Sequence, residues 1–240
     1  MSEFTPHYAP VVVLLFLGCV LLAGCGILFA AFAALRRSKV FVAIGLGTTA
    51  SVALGYLILL LGFSLASKEK VLAPGGWKYF CEIDCHLAYT VTDVNVVSAI
   101  GPEMKQTVAH GEFVVVRVKT WFDRSTISPQ RGDGPLLPNS RKVVLVDDVG
   151  HRFSQSAEAE AALSLLGSPS TPLTESLRPG ESYTTELAFD VPREVSGLRL
   201  LITENDPETR LVIGHENSLL HKKIYWGLPS FPSSVAQSLQ

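Results

Sequence analysis

Charge is missing from two long parts of this chain. Residues 10–35 and 40–65 contain no Asp, Glu, Lys, Arg or His. Several chemical signatures are missing as well: there is no Walker loop, no dinucleotide glycine fingerprint, no HExxH and no GxSxG, which removes the commonest sequence marks of nucleotide, metalloprotease and serine-hydrolase chemistry. No Asn-x-Ser/Thr sequon occurs, so nothing marks a glycosylated ectodomain. The net charge of −2 is spread over interleaved acids and bases, which argues against the basic footprint of a nucleic-acid binder. No internal repeat is visible. Neither an enzyme nor a cofactor is expected on these grounds.

The uncharged runs are the feature that organises the rest. A helix crosses the roughly 30 Å hydrocarbon layer with about 20 apolar residues, so each run is long enough to span with some tilt. In hydrocarbon the backbone must satisfy its own hydrogen bonds, which makes both runs helices. The link Arg36-Arg37-Ser38-Lys39 is short enough to force them antiparallel. Its three positive charges face only Glu3 before residue 10, so the positive-inside bias puts the link in the cytoplasm and the N-terminus and everything after the second span outside; Lys68 and Lys70 pull the other way. Small residues recur at every fourth position, Gly26, Ala30 and Ala34 in the first run and Gly47, Ser51 and Gly55 in the second. Such stripes let helix backbones approach closely, either within the hairpin or against a partner membrane subunit.

Beyond the hairpin the chain divides into a linker over 67–76, carrying Pro74-Gly75-Gly76, and one domain over 77–240. Trp77, Tyr79 and Phe80 either sit at the headgroup level or open the domain core. Short β-branched segments follow at 86–97, 113–122, 143–146, 183–191, 198–203 and 211–213, separated by turn signals such as Asp147-Asp148-Val149-Gly150. That spacing predicts an antiparallel sandwich or barrel. A helical insert is expected over 158–166, ended by Gly167. The turn-rich loop 125–139 holds Arg131-Gly132-Asp133, read as a chance occurrence of that tripeptide; the length of the loop makes it a place for a partner contact.

Two segments carry ligand-type side chains. Cys81-Glu82-Ile83-Asp84-Cys85-His86 brings two thiols beside an imidazole, and His215 and His221 follow in the C-terminal part. Cys81, Cys85, His86, His215 and His221 are the kinds of ligand that copper or zinc takes. The rival expectation is a Cys81–Cys85 disulfide, which an oxidising compartment permits but which requires a turn at Ile83-Asp84, because a straight strand separates residues four apart by about 13 Å. A bland account also exists for His215 and His221, as a polar turn facing solvent or headgroups.

From Glu112 onward the order is a Val-rich strand, then Leu145-Val146-Asp147-Asp148-Val149-Gly150-His151-Arg152-Phe153, then Leu177-Arg178-Pro179-Gly180-Glu181-Ser182, then Leu187-Ala188-Phe189-Asp190-Val191-Pro192. This succession resembles the immunoglobulin-like extracellular domain of bacterial lipoproteins and secreted antigens. The resemblance implies an extracytoplasmic sandwich that binds or scaffolds. Leu22-Ala23-Gly24-Cys25 resembles the lipobox of bacterial lipoproteins, but the apolar run continues beyond Cys25 and no positive charge precedes it, so a retained helix is expected in place of lipidation. The layout of two helices and a sandwich is also similar to cytochrome oxidase subunit II, whose copper motif has two Cys four apart, as Cys81 and Cys85 are. The chain departs from that motif at Tyr89 and Thr92, where the resemblance would require His and Met.

The expectation is therefore an N-terminal transmembrane hairpin over 1–66 followed by an all-β immunoglobulin-like sandwich with one short helical insert, in the inner membrane of a bacterium. Its partners would be the lipid bilayer and another membrane or envelope protein, with no nucleic acid. It would serve as a non-catalytic accessory or interaction subunit, or alternatively as a copper- or zinc-binding or redox-complex subunit.

Overall fold

The computed structural model describes residues 9–82, 85–167 and 170–229. Two apolar helices come first, α1 (Ala9–Leu35) and α2 (Lys39–Ala66). At 1.5 Å per residue each is about 40 Å long, more than a bilayer core requires. Leu14, Leu21, Leu28, Ile44, Leu54 and Phe63 are all exposed, so much of the apolar surface of both helices is left uncovered. Arg37 turns the chain between them in the left-handed region, φ 57°.

Three residues later the β-domain begins. Its strands are β1 (Lys70–Leu72), β2 (Lys78–Glu82), β3 (Cys85–Ile100), β4 (Thr107–Phe122), β5 (Arg141–Val146), β6 (Arg152–Phe153), β7 (Ser182–Val191), β8 (Arg199–Glu204) and β9 (Ile224–Gly227), with helix α3 (Ala157–Leu165) between β6 and β7. One sheet has the order β1-β9-β8-β5-β6, the other β2-β3-β4-β7. Their inner faces meet in one core: Phe80, Leu87, Tyr89 and Val91 with Val114, Val116, Val118, Leu187 and Phe189 from one sheet, and Val143, Leu145, Leu200, Ile202 and Trp226 from the other. Alternation along β4 explains the register. Val114, Val116 and Val118 face this core, while Phe113 and Val115 face outward and are covered by Ala159, Ala162 and Leu163 of α3. Ser156 caps α3 by accepting from the Ala159 amide, satisfying one of the orphan donors at the helix start.

The two turns quoted from the sequence have a physical basis. Asp147 Oδ1 accepts from the amides of Val149, Gly150 and His151 at 3.0, 2.6 and 2.7 Å, and Gly150 takes φ 98°, which only glycine adopts freely. In the second turn Gly180 has φ 87° and Glu181 accepts from the Arg178 amide at 2.7 Å.

Three expectations are corrected. The stretch 67–76 is not all linker, since β1 lies within it and pairs in parallel with β9; the sandwich is therefore not purely antiparallel. Residues 211–213 are not a strand. Pro207–Leu211 is a 3-10 turn, for which Pro207 presets φ, and three β-branched or apolar residues are too few to outweigh it. The short strands β2 and β9 had no alternating pattern long enough to read. Trp77, Tyr79 and Phe80 divide their roles: Phe80 enters the core, while Trp77 packs on Trp121 with ring centroids 5.6 Å apart.

The chain forms two compact units. One contains Glu69–Asp206 and residues 223–229; the other contains the hairpin and Pro207–Lys222. The last expected strand thus belongs with the helices and not with the sandwich.

Candidate functional site

In the hairpin, α1 and α2 pack through small residues, but only some of the expected ones. A Cβ on Gly45 would lie 2.9 Å from Ala30 Cβ and 2.9 Å from the Gly26 carbonyl oxygen, and one on Gly26 would strike Thr49. Ala30 and Ala33 are buried here, and Thr49 Oγ1 donates to the Gly45 and Ala23 carbonyls at 3.0 and 3.3 Å. Gly26 and Ala30 are therefore contact residues. Ala34, Gly47, Ser51 and Gly55 are exposed, with open space around Gly47 and Gly55.

His215 and His221 both lie in the segment Pro207–Lys222 of the hairpin unit. Each is engaged locally. His215 Nδ1 accepts from the Asn217 amide at 3.0 Å, and His221 Nδ1 lies 2.7 Å from the Lys222 carbonyl, to which it donates. The segment is tied to α2 at two levels, by Tyr56 OH donating to the Leu211 carbonyl and by Ser67 Oγ accepting from the Lys222 amide at 2.8 Å.

Cys81 and His86 are in the sandwich unit, directly opposite each other in the β2–β3 register; Glu82 is opposite Cys85. β2 and β3 pair antiparallel on either side of residues 83–84. Ile83, Asp84 and the side chain of Cys85 lie outside the described residues, and the disulfide expectation falls on them. His86 is 4% exposed, and neither ring nitrogen has a hydrogen-bond partner among the described residues. Burial holds its pKa below the ordinary histidine range, with the nearby Asp123 carboxylate opposing. Asp123 itself is fixed by Ser125, whose amide and hydroxyl donate to Oδ1 at 2.9 and 2.7 Å. The Tyr79 ring approaches His86 edge-on. Cys81 is half-buried. Among the described residues no group of three or more His, Cys, Asp and Glu side chains is placed to hold a metal ion.

The densest polar chemistry was not legible in the sequence. Arg141, with a fully buried side chain, pairs with Glu82 through Nη2 and with Glu204 at 3.7 Å, and its Nε donates to Tyr89 OH at 3.3 Å. The guanidinium also lies 4.4 Å over Phe80. Lys78, 3% exposed, donates from Nζ to the carbonyls of Ile202 and Ile224 at 2.7 and 3.1 Å. These contacts join the two sheets across the core. Burial raises the Glu82 pKa, with Arg141 opposing and Glu204 adding to the rise. Nothing in the local sequence marks Glu82, Arg141 and Glu204 as partners, since they come from three separate strands.

Two further His–carboxylate pairs lie near the surface. His110 Nδ1 is 2.9 Å from Asp190 Oδ2, and His151 Nδ1 is 2.7 Å from Asp147 Oδ2. The hydrogen bond to Asp190 raises the His110 pKa.

No family model matches the chain, and no curated protein matches it. Solved structures do resemble it at low identity. A secreted protein of Mycobacterium tuberculosis, MPT63, matches at 14% identity and a TM-score of 0.42, over 69% of this chain and 100% of that one. An uncharacterized β-sandwich protein of Clostridium difficile matches at 11% identity and a TM-score of 0.38, over 68% and 96%. A conserved hypothetical protein of Bacillus anthracis matches at 17% identity and a TM-score of 0.39, over 54% and 88%. The fold class stands on the sheets themselves: two apolar helices precede a β-sandwich with one short helix on its outer face.

Proposed function

We propose that this protein is a membrane-anchored, extracytoplasmic β-sandwich of a bacterial envelope, acting without catalysis as an accessory or interaction subunit. The observation that carries it is the joining of an outward-facing apolar hairpin to a sandwich by three residues, Ser67–Glu69. So short a connection tethers the domain closely to its anchor. The groups with most chemical potential, Arg141, Glu82, Glu204 and Lys78, are committed to holding the sheets together, which supports a scaffold over an active site. The exposed Gly47, Ser51 and Gly55 on α2 offer a close-packing face to a helix of the partner. Native gel electrophoresis of gently solubilised membranes tests this. The protein should migrate in a discrete complex well above its 25.9 kDa chain mass; migration as a lone monomer would overturn the subunit role.

One observation supports a second reading, in which Cys81, Cys85 and His86 bind copper or zinc: the ring nitrogens of His86, opposite Cys81, have no hydrogen-bond partner among the described residues. Metal analysis and thiol counting on the full-length protein in detergent separate the two. Stoichiometric metal that disappears in Cys85→Ser would favour the second reading, and its absence with one disulfide would remove it.

A further inference from the structure

We infer that the segment Pro207–Lys222 is a membrane-contact loop, lying at the headgroup–acyl boundary with Leu211, Leu219 and Leu220 in the lipid. The inference rests on the membrane-anchored reading above and adds a second, non-helical element to the lipid-facing surface. Its first support is depth. The segment is held to α2 from Tyr56 to Ser67, a stretch of about 16 Å along the helix. The apolar surface of α2 continues through all of that stretch: Ile58, Leu59, Phe63 and Leu65 are 62, 45, 59 and 69% exposed. A bilayer that covers these side chains also reaches whatever is fastened at Tyr56.

The segment's own surface agrees. Leu211, Leu219 and Leu220 are 50, 57 and 60% exposed, and Leu220 sits at φ 64°, a left-handed conformation that a branched side chain adopts only when the fold imposes it. Polar side chains flank them. Glu208, Arg210 and Lys222 are exposed, and Lys222, at the Ser67 end, has a stem long enough to place its charge among phosphates while its carbons lie against acyl chains.

Non-helical backbone at membrane depth requires internal partners, and successive turns supply them. The amides of Val212, His215, Ser218 and His221 donate to the carbonyls of Thr209, Val212, His215 and Ser218 at 3.3, 3.1, 2.9 and 3.1 Å. Side chains complete the set. Asn217 Nδ2 donates to Thr209 Oγ1 at 3.1 Å, and Ser218 Oγ donates to the Val212 carbonyl. This also gives His215 and Asn217 a role without metal chemistry, that of closing the turns on which the leucines are presented.

The test uses the unaltered full-length protein, grown with photo-leucine and reconstituted into vesicles of phosphatidylcholine and phosphatidylglycerol. After irradiation and trypsin digestion, the peptide from Leu211 to Lys222 carries all three leucines. Phospholipid adducts on this peptide, and none on the Gly132–Arg141 peptide with its 71% exposed Leu137, are the expected result. Adducts on the hairpin but not on the 211–222 peptide would overturn the inference and leave the anchor intact. Adducts on neither, or equal labelling of the Leu137 peptide, would overturn it too, and the former would take the anchor with it.

Discussion

Arg141 is the side chain on which the sandwich depends most. A buried guanidinium is tolerable only because Glu82, Glu204 and Tyr89 surround it, and removing one member leaves charges stranded in a dry core. Arg141→Leu should therefore destabilise the β-domain by about 3–5 kcal/mol, read as a lowered melting midpoint of the β-sheet signal in detergent. Arg141→Lys should recover only part of this, because an ammonium cannot serve both carboxylates and the tyrosine in the same plane. His86 makes the second residue-scale prediction. Burial depresses its pKa, so the unfolded chain takes up a proton below about pH 6.5 that the folded site disfavours. Stability is thus complete above that pH and falls as pH drops through the depressed folded value. A His86→Leu variant should lose less stability than wild type between neutral pH and about pH 5. His110 acts with the opposite sign, since Asp190 raises its pKa, which is why the two proteins must be compared at each pH.

At the scale of elements, the hairpin distinguishes small residues that touch from small residues that do not. Gly45→Val would force a side chain against the Gly26 carbonyl and Ala30, and the helices would separate at a cost of about 1–3 kcal/mol. Gly47→Val enters open space and should leave the hairpin's thermal stability unchanged. Engineered thiol cross-linking between the helices, followed for both variants, checks this: loss of cross-linking in Gly47→Val alone would contradict the assigned contact. The elements also show where sequence reading succeeds. The long strands β3, β4 and β7 and the helix α3 were legible because alternation, or an Ala-, Leu- and Glu-rich run ended by Gly167, extends over enough residues to be unambiguous. The Asp147 and Gly180 turns were legible from their residue types. β1, β2 and β9 were not, because three to five residues carry no period, and β1 gains its partner only from the far end of the chain. Residues 211–213 misled for the same reason: an apolar triplet fits a strand, a turn or a lipid-facing loop equally well.

At the scale of the whole molecule, the uncharged runs placed the chain correctly as two apolar helices before a β-domain, but the ligand-type residues did not assemble as their chemistry alone suggested. Cys81 and His86 belong to the sandwich, whereas His215 and His221 belong to the helical unit and are used by their own turns. Spacing along a chain could not reveal that division, which depends on where the C-terminal segment leaves the sandwich after β8 and returns at β9. On the proposed function the hairpin crosses the membrane twice and leaves the sandwich outside. Protease added to intact spheroplasts, with the fragments mapped by antibodies to a C-terminal tag and to the hairpin, tests it most directly. The predicted result is loss of the tag with the Arg36–Lys39 link protected until the membrane is opened. A tag that survives until lysis would contradict it.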